Sequence, residues 1–239
     1  MRQANEKLTQ ISVQKDGFLS QISHELRTPM TSIRAFSEIL RDTDDLSAGD
    51  KHKYAAIIHD ETVRLTRLLD DLLDLSVLEN GQVDLNVQSG TLGALIDRAV
   101  RAAGGETEHF TVRRDHEAER VDLSTDLDRL AQVFINLVSN ARKYCDADPA
   151  VLSIRPAVTG DQLVVDFVDN GGGIPTEMQA VIFEKFSRIG ETKAGGAGLG
   201  LAICREIMAR LGGHVSYLPG QTGAAFRVSL PLSGRMAAQ

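Results

Sequence analysis

The sequence predicts an α-helical hairpin that pairs into a dimeric four-helix bundle, followed by an α+β two-layer sandwich. Two observations carry this prediction. Before about residue 80 glycine is nearly absent and apolar residues recur at helical spacing. After it, short β-rich runs alternate with helical segments and carry most of the 21 glycines. We expect a helical domain at 1–80, a linker at 81–86 and a second domain at 87–239.

Composition excludes several classes of protein. The hydrophobic fraction of 42% and the charged fraction of 25% are ordinary for a globular chain, and the net charge of -7 argues against a nucleic-acid surface. No apolar run approaches the roughly 20 residues that span a bilayer, and the polar N-terminus lacks a signal-peptide core. Cys145 and Cys204 lie far apart and form no metal-type cluster. We therefore expect a cytoplasmic chain with reduced thiols.

The two helices of the hairpin follow from apolar spacing. In the first, apolar residues recur at steps of three, four or seven: Leu8, Ile11, Phe18, Ile22, Leu26, Ile33, Phe36 and Leu40. The polar stretch "RDTDDLSAGD" breaks the pattern, and a second helix follows with apolar residues in heptad spacing: Ile58, Leu65, Leu68, Leu72 and Leu75. A short loop between two long amphipathic helices predicts an antiparallel pair.

A single hairpin leaves apolar surface uncovered, including Leu69 and Leu73. Pairing two hairpins into a four-helix bundle would cover this surface, so we expect a homodimer. The alternative is that the hairpin docks on the second half of its own chain.

The second half alternates between helical and β-rich segments, with "LENGQVDLN" as the connection and Asn80-Gly81 as the helix end. We expect helices at about 91–103, 125–144 and 197–211, and a strand near 109–113 or 119–123. Two β-rich runs, "AVLSIRPAV" and "QLVVDFVDN", are separated by a "TGD" turn. The segment "GHVSYLPGQTGAAFRVSLPL" is expected to form a closing hairpin. Helices alternating with antiparallel strands predict the two-layer sandwich.

A buried strand in "VVDFVDNGGGIP" ends in Asp169 and runs into three consecutive glycines. Glycine lets the backbone approach a ligand closely, and a carboxylate just before it can accept hydrogen bonds from an amino group such as that of adenine. A glycine-rich turn without a ligand is the alternative.

A second glycine cluster, "KAGGAGLGLAICREI", leads directly into an amphipathic helix. Glycines that open a helix present free N–H groups at the positive end of the helix dipole, which suits phosphate. The cluster is neither a Walker A motif nor a Rossmann fingerprint. A flexible loop with a tight helix start is the alternative.

The third element is a polar face on a helix, made by Asn136, Asn140, Lys143 and Tyr144 at positions i, i+4, i+7 and i+8. An amide oxygen is a suitable Mg²⁺ ligand, a lysine can lie near phosphate, and a tyrosine can pack on a base. A solvated face without function is the alternative.

Five segments in this order resemble the sensor histidine kinases of bacterial two-component systems. "SHELRTP" resembles their phosphoacceptor box and "NLVSNARKY" their N box, while "DNGGGIP", "FEKF" and "GGAGLGL" resemble their G1, F and G2 boxes. The resemblance covers nearly the whole chain. It implies a dimerisation and phosphotransfer hairpin followed by a Bergerat-type ATP-binding domain. It counts against gyrase-type ATPases, which lack a histidine-bearing hairpin, and against a degenerate kinase that serves only as a scaffold.

The resemblance also implies roles for individual residues. His24 would be phosphorylated, Glu25 would be its general base, and Asn140 would be the direct Mg²⁺ ligand. The residues implied for ATP binding are Asn136 in the metal shell, Lys143 and Arg188 near phosphate, Tyr144 near the base, Asp169 with Gly171 and Gly173 around adenine, and Gly196, Gly198, Leu199 and Gly200 at the hinge of the lid. Phe183 and Phe186 would anchor that lid, or would be ordinary core residues.

The phosphoryl group would pass from ATP to His24 and then to an aspartate in the receiver domain of a response regulator. His24 lies opposite the apolar stripe of its helix, so it should face outward. Thr28, one turn later, completes a pattern that in relatives supports dephosphorylation of the regulator, and Pro29 should bend the helix beside His24. No sensory or membrane segment precedes the hairpin, so we expect the catalytic core of a longer receptor or a kinase that senses through a partner.

Overall fold

The computed structural model describes residues 2–79, 84–187 and 197–232, with the backbone alone for residues 2–16. The chain forms two compact units, one built mainly from residues up to Leu73 and one from Asp74 onwards. In the described ranges no helix is both long and apolar enough to cross a bilayer.

The first unit is a hairpin made by α1 (Arg2–Asp42) and the part of α2 (Ala48–Glu79) up to Leu73, as the apolar spacing predicts. Ser47 starts α2 in a capping arrangement, because its hydroxyl accepts a hydrogen bond from the Asp50 N–H at 3.0 Å and donates one to the Asp50 carboxylate at 2.6 Å. The Phe36 and Tyr54 rings stack across the two helices with centroids 5.3 Å apart. These contacts fix the turn and the pairing of the helices.

The expected apolar stripe of α1 is half-buried wherever its side chains are described: Phe18, Ile22, Leu26, Ile33, Phe36 and Leu40. The side chains of Leu8 and Ile11 lie outside the described residues. On α2, Leu68 is buried, whereas Leu69 and Leu73 are 46% and 64% exposed, which leaves uncovered the apolar surface that the sequence predicts. Pro29 is buried inside a continuous α1, so the proline is not a surface feature.

The second unit contains four helices and seven strands among its described residues. The helices are α3 (Leu92–Ala102), α4 (Leu127–Tyr144), the short α5 (Thr176–Gln179) and α6 (Gly200–Arg210). The strands are β1 (Gln88–Thr91), β2 (Phe110–Arg114), β3 (Asp122–Thr125), β4 (Ala150–Thr159), β5 (Gln162–Asp169), β6 (His214–Tyr217) and β7 (Ala225–Pro231). The sequence predicts one strand near 109–113 or 119–123; the structure has a strand overlapping each segment, β2 and β3.

The strands form a five-stranded sheet in the order β2-β4-β5-β7-β6 and a separate antiparallel pair of β1 and β3. The predicted two-layer α+β architecture is confirmed, but the expectation of antiparallel strands throughout is wrong at one pair, because β2 and β4 run parallel. The reason is that α4 lies between them in the chain and carries it back across the sheet, as a parallel pair requires.

The core lies between the helices and one face of the sheet. Phe134 of α4 meets Phe167 of β5 edge to face with ring centroids 5.0 Å apart, and both side chains are fully buried. Burying one such side chain contributes on the order of 2–3 kcal/mol. The opposite face carries polar groups such as the bidentate pair of Arg227 and Asp166, with both N–O distances at 2.7 Å. This packing fixes α4 and the end of β5, which carry the site described below.

The last residues of α2 pack within the second unit. Leu75 and Leu78 are 1% and 2% exposed. Asp74 accepts a hydrogen bond from the Gln132 side chain of α4 at 2.6 Å, and Arg210 of α6 donates to the carbonyl of Leu78. The end of α2 is therefore held by polar contacts as well as by burial.

Candidate functional site

Asp169 lies at the end of β5 and is held by the start of β7. Its Oδ1 atom accepts hydrogen bonds from the N–H groups of Gly171 and Ala224, both at 2.9 Å, and its own N–H donates to the Ala224 carbonyl at 3.0 Å. Among the described residues, none donates a hydrogen bond to Oδ2. The carboxylate is thus fixed through one oxygen and can accept a ligand N–H through the other.

Burial raises the pKa of Asp169 above its ordinary value of 3.8, because a charged carboxylate loses hydration there. The hydrogen bonds from Gly171 and Ala224 lower this pKa, and the nearby negative charge of Asp146 raises it. The raised pKa means that the hydrogen bonds from the protein do not fully replace the hydration that the ionised carboxylate loses on burial. A donor on a ligand would compensate it.

Glycine is required around Asp169 because the backbone passes too close for a side chain. A Cβ atom at Gly171 would lie 2.8 Å from Oδ1 of Asp146, and one at Gly223 would lie 2.3 Å from both the carbonyl oxygen and Oδ1 of Asp169. Gly173 has a φ of +79°, a left-handed conformation that favours glycine. The predicted residues Asp169, Gly171 and Gly173 therefore lie together where the end of β5 packs closely against neighbouring backbone.

Sequence reasoning missed two residues that contact this segment. Asp146 follows the end of α4, and its Oδ1 accepts a hydrogen bond from the Gly172 N–H at 2.7 Å. Gly223 precedes β7 and reaches Asp169 only through the pairing of β5 with β7. The sequence offered a signal for Asp146, because this carboxylate comes two residues after Tyr144 of the polar helix face. For Gly223 the only signal was its position in a predicted turn.

Asn170, next to Asp169, has a structural role. Its side-chain oxygen accepts a hydrogen bond from the Val151 N–H at 2.7 Å, and its amide nitrogen donates to the Pro149 carbonyl at 3.1 Å. These bonds join the end of β5 to the start of β4. They hold in place the strand end that carries Asp169.

The polar face of α4 lies against the start of α6. Asn136 is half-buried, and its amide nitrogen donates to the Gly200 carbonyl at 3.4 Å, while a Cβ atom at Gly200 would be 3.7 Å from the Asn136 side chain. Asn140 is half-buried on the same face, and Lys143 and Tyr144 are exposed. Among the described residues, the structure therefore brings Asn136 of the polar helix face to Gly200 of the second glycine cluster.

Two residues in left-handed conformations lie at the base of that glycine cluster. Phe186, with a φ of +62°, donates its N–H to the carbonyl of Gly198, with a φ of +72°, at 3.0 Å. A Cβ atom at Gly198 would lie 2.7 Å from the Ser187 carbonyl oxygen. Leu199 is fully buried and leads into α6, whose start has no side-chain cap. Arg188 and Gly196 lie outside the described residues.

The two phenylalanines of "FEKF" are both packed. Phe186 is buried, and the half-buried Phe183 meets Phe226 edge to face with centroids 6.2 Å apart. Phe183 is thus a packing residue, whereas Phe186 also closes the base of the glycine cluster through its backbone.

Oxygen ligands for a metal are available from amides. Within the described part of the chain, no group of three or more His, Cys, Asp or Glu side chains could hold a metal ion. The Asn140 side chain makes no hydrogen bond to a described residue, so its oxygen can bind a ligand. Mg²⁺ fits such a site because it retains several waters and is bound through one or two protein groups together with substrate phosphates.

On the hairpin, His24 and Thr28 are exposed on successive turns of α1, and Glu25 is half-buried. The Thr28 hydroxyl donates a hydrogen bond to the His24 carbonyl at 3.4 Å, so it lies on the same side of the helix. Glu25 pairs with Arg64 of α2, with a distance of 3.8 Å between Oε2 and Nη2. The structure therefore exposes the His24 imidazole, with the Thr28 hydroxyl one turn later and the neighbouring Glu25 carboxylate paired with α2.

Two families match the two halves of the chain. The His Kinase A (phospho-acceptor) domain matches residues 14–81, and the family described as histidine kinase-, DNA gyrase B- and HSP90-like ATPase matches residues 125–234. The first match contains His24, Glu25 and Thr28, and the second contains Asn140 and Asp169.

Among curated proteins, the chain is 31% identical to the sensor protein VanS of Enterococcus faecium over 227 residues, which are 91% of this chain and 57% of VanS. It is 30% identical to the sensor protein kinase WalK of Staphylococcus aureus (strain MRSA252) over 228 residues, or 93% of this chain and 37% of WalK. The chain thus spans about half the length of these relatives or less.

Among solved structures, the histidine kinase ThkA in complex with the response regulator protein TrrA has a TM-score of 0.68 at 24% identity, covering 96% of this chain and 65% of that one. This likeness concerns the fold. The two family matches and the relatives lead to one conclusion. The chain belongs to the sensor histidine kinases and carries both their phosphoacceptor domain and their ATPase domain.

Proposed function

We propose that the chain is an ATP-dependent autophosphorylating protein histidine kinase, which transfers a phosphoryl group from ATP to His24 and from there to an aspartate of a response regulator. The observation that carries the proposal is the Asp169 carboxylate, which is desolvated, fixed through Oδ1 and open at Oδ2. The phosphoryl acceptor is supplied by His24, an exposed histidine in the other unit that is followed by the carboxylate of Glu25.

In this proposal Asp169 accepts a hydrogen bond from the adenine amino group. The residues proposed to surround the rest of the nucleotide are Gly171 and Gly173 at the base, Tyr144 against it, Lys143 and Arg188 near phosphate, and Gly196, Gly198, Leu199 and Gly200 at the hinge of the lid. The uncapped start of α6 supports a phosphate contact, because helix N-termini leave N–H groups without intrahelical partners.

Asn140 is the proposed direct ligand of Mg²⁺, with Asn136 in the same shell. When bound, Mg²⁺ would neutralise charge on the transferred phosphoryl group. Asn136 is already engaged with the Gly200 carbonyl, so we assign the direct contact to Asn140.

At the acceptor, a neutral imidazole nitrogen of His24 attacks the γ-phosphorus, and the bond to the bridging oxygen of the departing ADP breaks. Glu25 takes the proton from the other ring nitrogen, which leaves phosphohistidine and a neutral carboxylic acid. The exposure of His24 lets both an ATP-binding domain and a partner protein reach it.

The domain assignment follows from these roles: dimerisation and phosphotransfer in residues 1–80, a linker at 81–86 and catalysis in 87–239. The exposed Leu69 and Leu73 support a homodimer of hairpins. The partner is proposed to be a response-regulator receiver domain, supported by the complex of ThkA with the response regulator protein TrrA.

Dephosphorylation of the regulator is a second proposed activity. It is supported by the Thr28 hydroxyl, which lies one turn from His24 and can position a water. We expect Thr28→Ala to slow regulator dephosphorylation at least tenfold while autophosphorylation stays within twofold. An unchanged dephosphorylation rate would contradict this second activity alone.

Incubation with γ-labelled ATP and Mg²⁺ tests the kinase activity. We expect acid-labile, base-stable label on the wild type and none on His24→Ala, with equal ATP binding by both proteins because His24 belongs to the other unit. Label that survives in His24→Ala would contradict the proposal.

A further inference from the structure

Glu25 shares one cation with a second carboxylate. The Nη2 atom of Arg64 lies 3.8 Å from Oε2 of Glu25, and the Nη1 atom of the same guanidinium lies 3.7 Å from Oε2 of Glu61. Arg64 and Glu61 are three residues apart on α2, whereas Glu25 is on α1. The guanidinium therefore links the two helices at the residue that follows His24.

This group of three is shielded from water more than an ordinary surface ion pair. The side chains of Arg64, Glu25 and Glu61 are 32%, 19% and 24% exposed. The Oε2 atom of Glu61 is buried and has no hydrogen bond, so the described structure compensates it by the charge of Arg64 alone. Partial burial reduces screening by salt and makes the position of the Arg64 guanidinium matter.

The charges of the group change when Glu25 acts as a base. Before proton transfer, the carboxylates of both Glu25 and Glu61 face the Arg64 guanidinium. When Glu25 takes the ring proton of His24, it becomes neutral, and the remaining Arg64 and Glu61 form a balanced pair. The distances of 3.7 and 3.8 Å exceed hydrogen-bond length, so the guanidinium can shift between its two partners without breaking a tight bond.

We propose that Arg64 is a positioning residue for autophosphorylation, which holds the Glu25 carboxylate ready to take the His24 proton and is retained by Glu61 once Glu25 is neutral. The inference rests on the proposed kinase function. It assigns to α2 a part in a reaction whose acceptor and base are on α1.

The direct test is the steady-state kinetics of autophosphorylation. Arg64→Ala should lower kcat about tenfold or more, since general base catalysis contributes roughly 100- to 10,000-fold and a mispositioned base retains part of it. The KM for ATP should stay within twofold, because Arg64 is not among the residues proposed to bind the nucleotide. The kcat of Arg64→Lys should lie between those of the wild type and Arg64→Ala, since lysine keeps the positive charge but lacks the planar guanidinium group.

Two further measurements separate positioning from a structural role. In the Glu25→Gln background, Arg64→Ala should cause no further loss of kcat, because the base that it positions is absent. Added guanidinium ion should restore part of the activity of Arg64→Ala. Arg67→Ala is the matched control, because Arg67 is an exposed arginine on the same helix and should stay within twofold of wild type.

The results of these experiments separate the positioning role of Arg64 from the proposed kinase function. If the wild type is labelled and the kcat of Arg64→Ala is within twofold of the wild-type value, only the positioning role is overturned. A loss of the same size in the wild-type and Glu25→Gln backgrounds, with no guanidinium rescue, would also overturn it by indicating a structural role. An unlabelled wild type would overturn the proposed function itself.

Discussion

Asp169 uses one oxygen to hold the fold and leaves the other for a ligand, and this division predicts the effect of Asp169→Asn. The amide oxygen would stay with the N–H groups of Gly171 and Ala224, which turns the NH₂ group toward the ligand. A donor would then face the donor of adenine. We expect a loss of about 2 kcal/mol, or roughly 30-fold in ATP affinity, by calorimetry.

The stability of the same variant is the internal control. Because burial raises the pKa of Asp169, the ionised carboxylate costs folding free energy above that pKa, and stability falls as the pH rises through it. Asp169→Asn should therefore melt at the wild-type temperature or higher at pH 7. A strongly lowered Tm would attribute the loss of affinity to misfolding.

The pH dependence of ATP affinity follows from the same pKa. As the pH is lowered, affinity should begin to decline at a higher pH than it would for an aspartate with an ordinary pKa, because protonation removes the acceptor. Asp146→Asn removes a charge that raises the pKa, so the decline should move to lower pH. Calorimetric titrations of both proteins over a pH series would check this, and an identical decline would contradict it.

At the scale of elements, Phe186 and Gly198 form the closure between the end of the "FEKF" segment and the start of α6. Gly198→Ala adds a Cβ atom 2.7 Å from the Ser187 carbonyl at a left-handed φ, so the Phe186 hydrogen bond cannot be kept unchanged. We expect at least a tenfold loss of ATP affinity with a Tm lowered by a few degrees.

A matched substitution in the same unit is available. A Cβ atom at Gly93 would be 3.6 Å from its nearest neighbour, which is ordinary contact, so Gly93→Ala should bind ATP as the wild type does. Equal affinity of Gly198→Ala and Gly93→Ala would show that the closure is not needed for binding.

Elements with strong periodicity could be predicted from the sequence, and elements made by long-range pairing could not. The helices α1, α2 and α4 have regular apolar spacing. The β1 strand, Gln88–Thr91, has the sequence "QSGT" and no apolar alternation, and it becomes a strand only by pairing with β3. The same limit applies to the site, where Asp169 was visible but Gly223 depends on the pairing of β5 with β7.

At the scale of the whole molecule, the uncovered apolar surface of α2 predicts a dimer. Leu73→Lys should weaken it without unfolding the hairpin, since Leu73 is 64% exposed in the single chain. Two copies of this side chain would contribute about 3 kcal/mol, or more than a hundredfold in Kd. Sedimentation should show monomers for Leu73→Lys and dimers for Val158→Lys, an exposed apolar residue in the other unit. A dimeric Leu73→Lys would contradict this interface.

The central claim is that Asp169 in one unit and His24 in the other serve a single phosphoryl transfer. The most direct measurement is mass spectrometric mapping of the phosphorylated residue after incubation with ATP and Mg²⁺ at neutral pH. The account predicts phosphate on His24 in the wild type, and strongly reduced phosphate on the same residue in Asp169→Asn at subsaturating ATP. Phosphate on a different residue, or phosphorylation of His24 that is unaffected by Asp169→Asn, would contradict it.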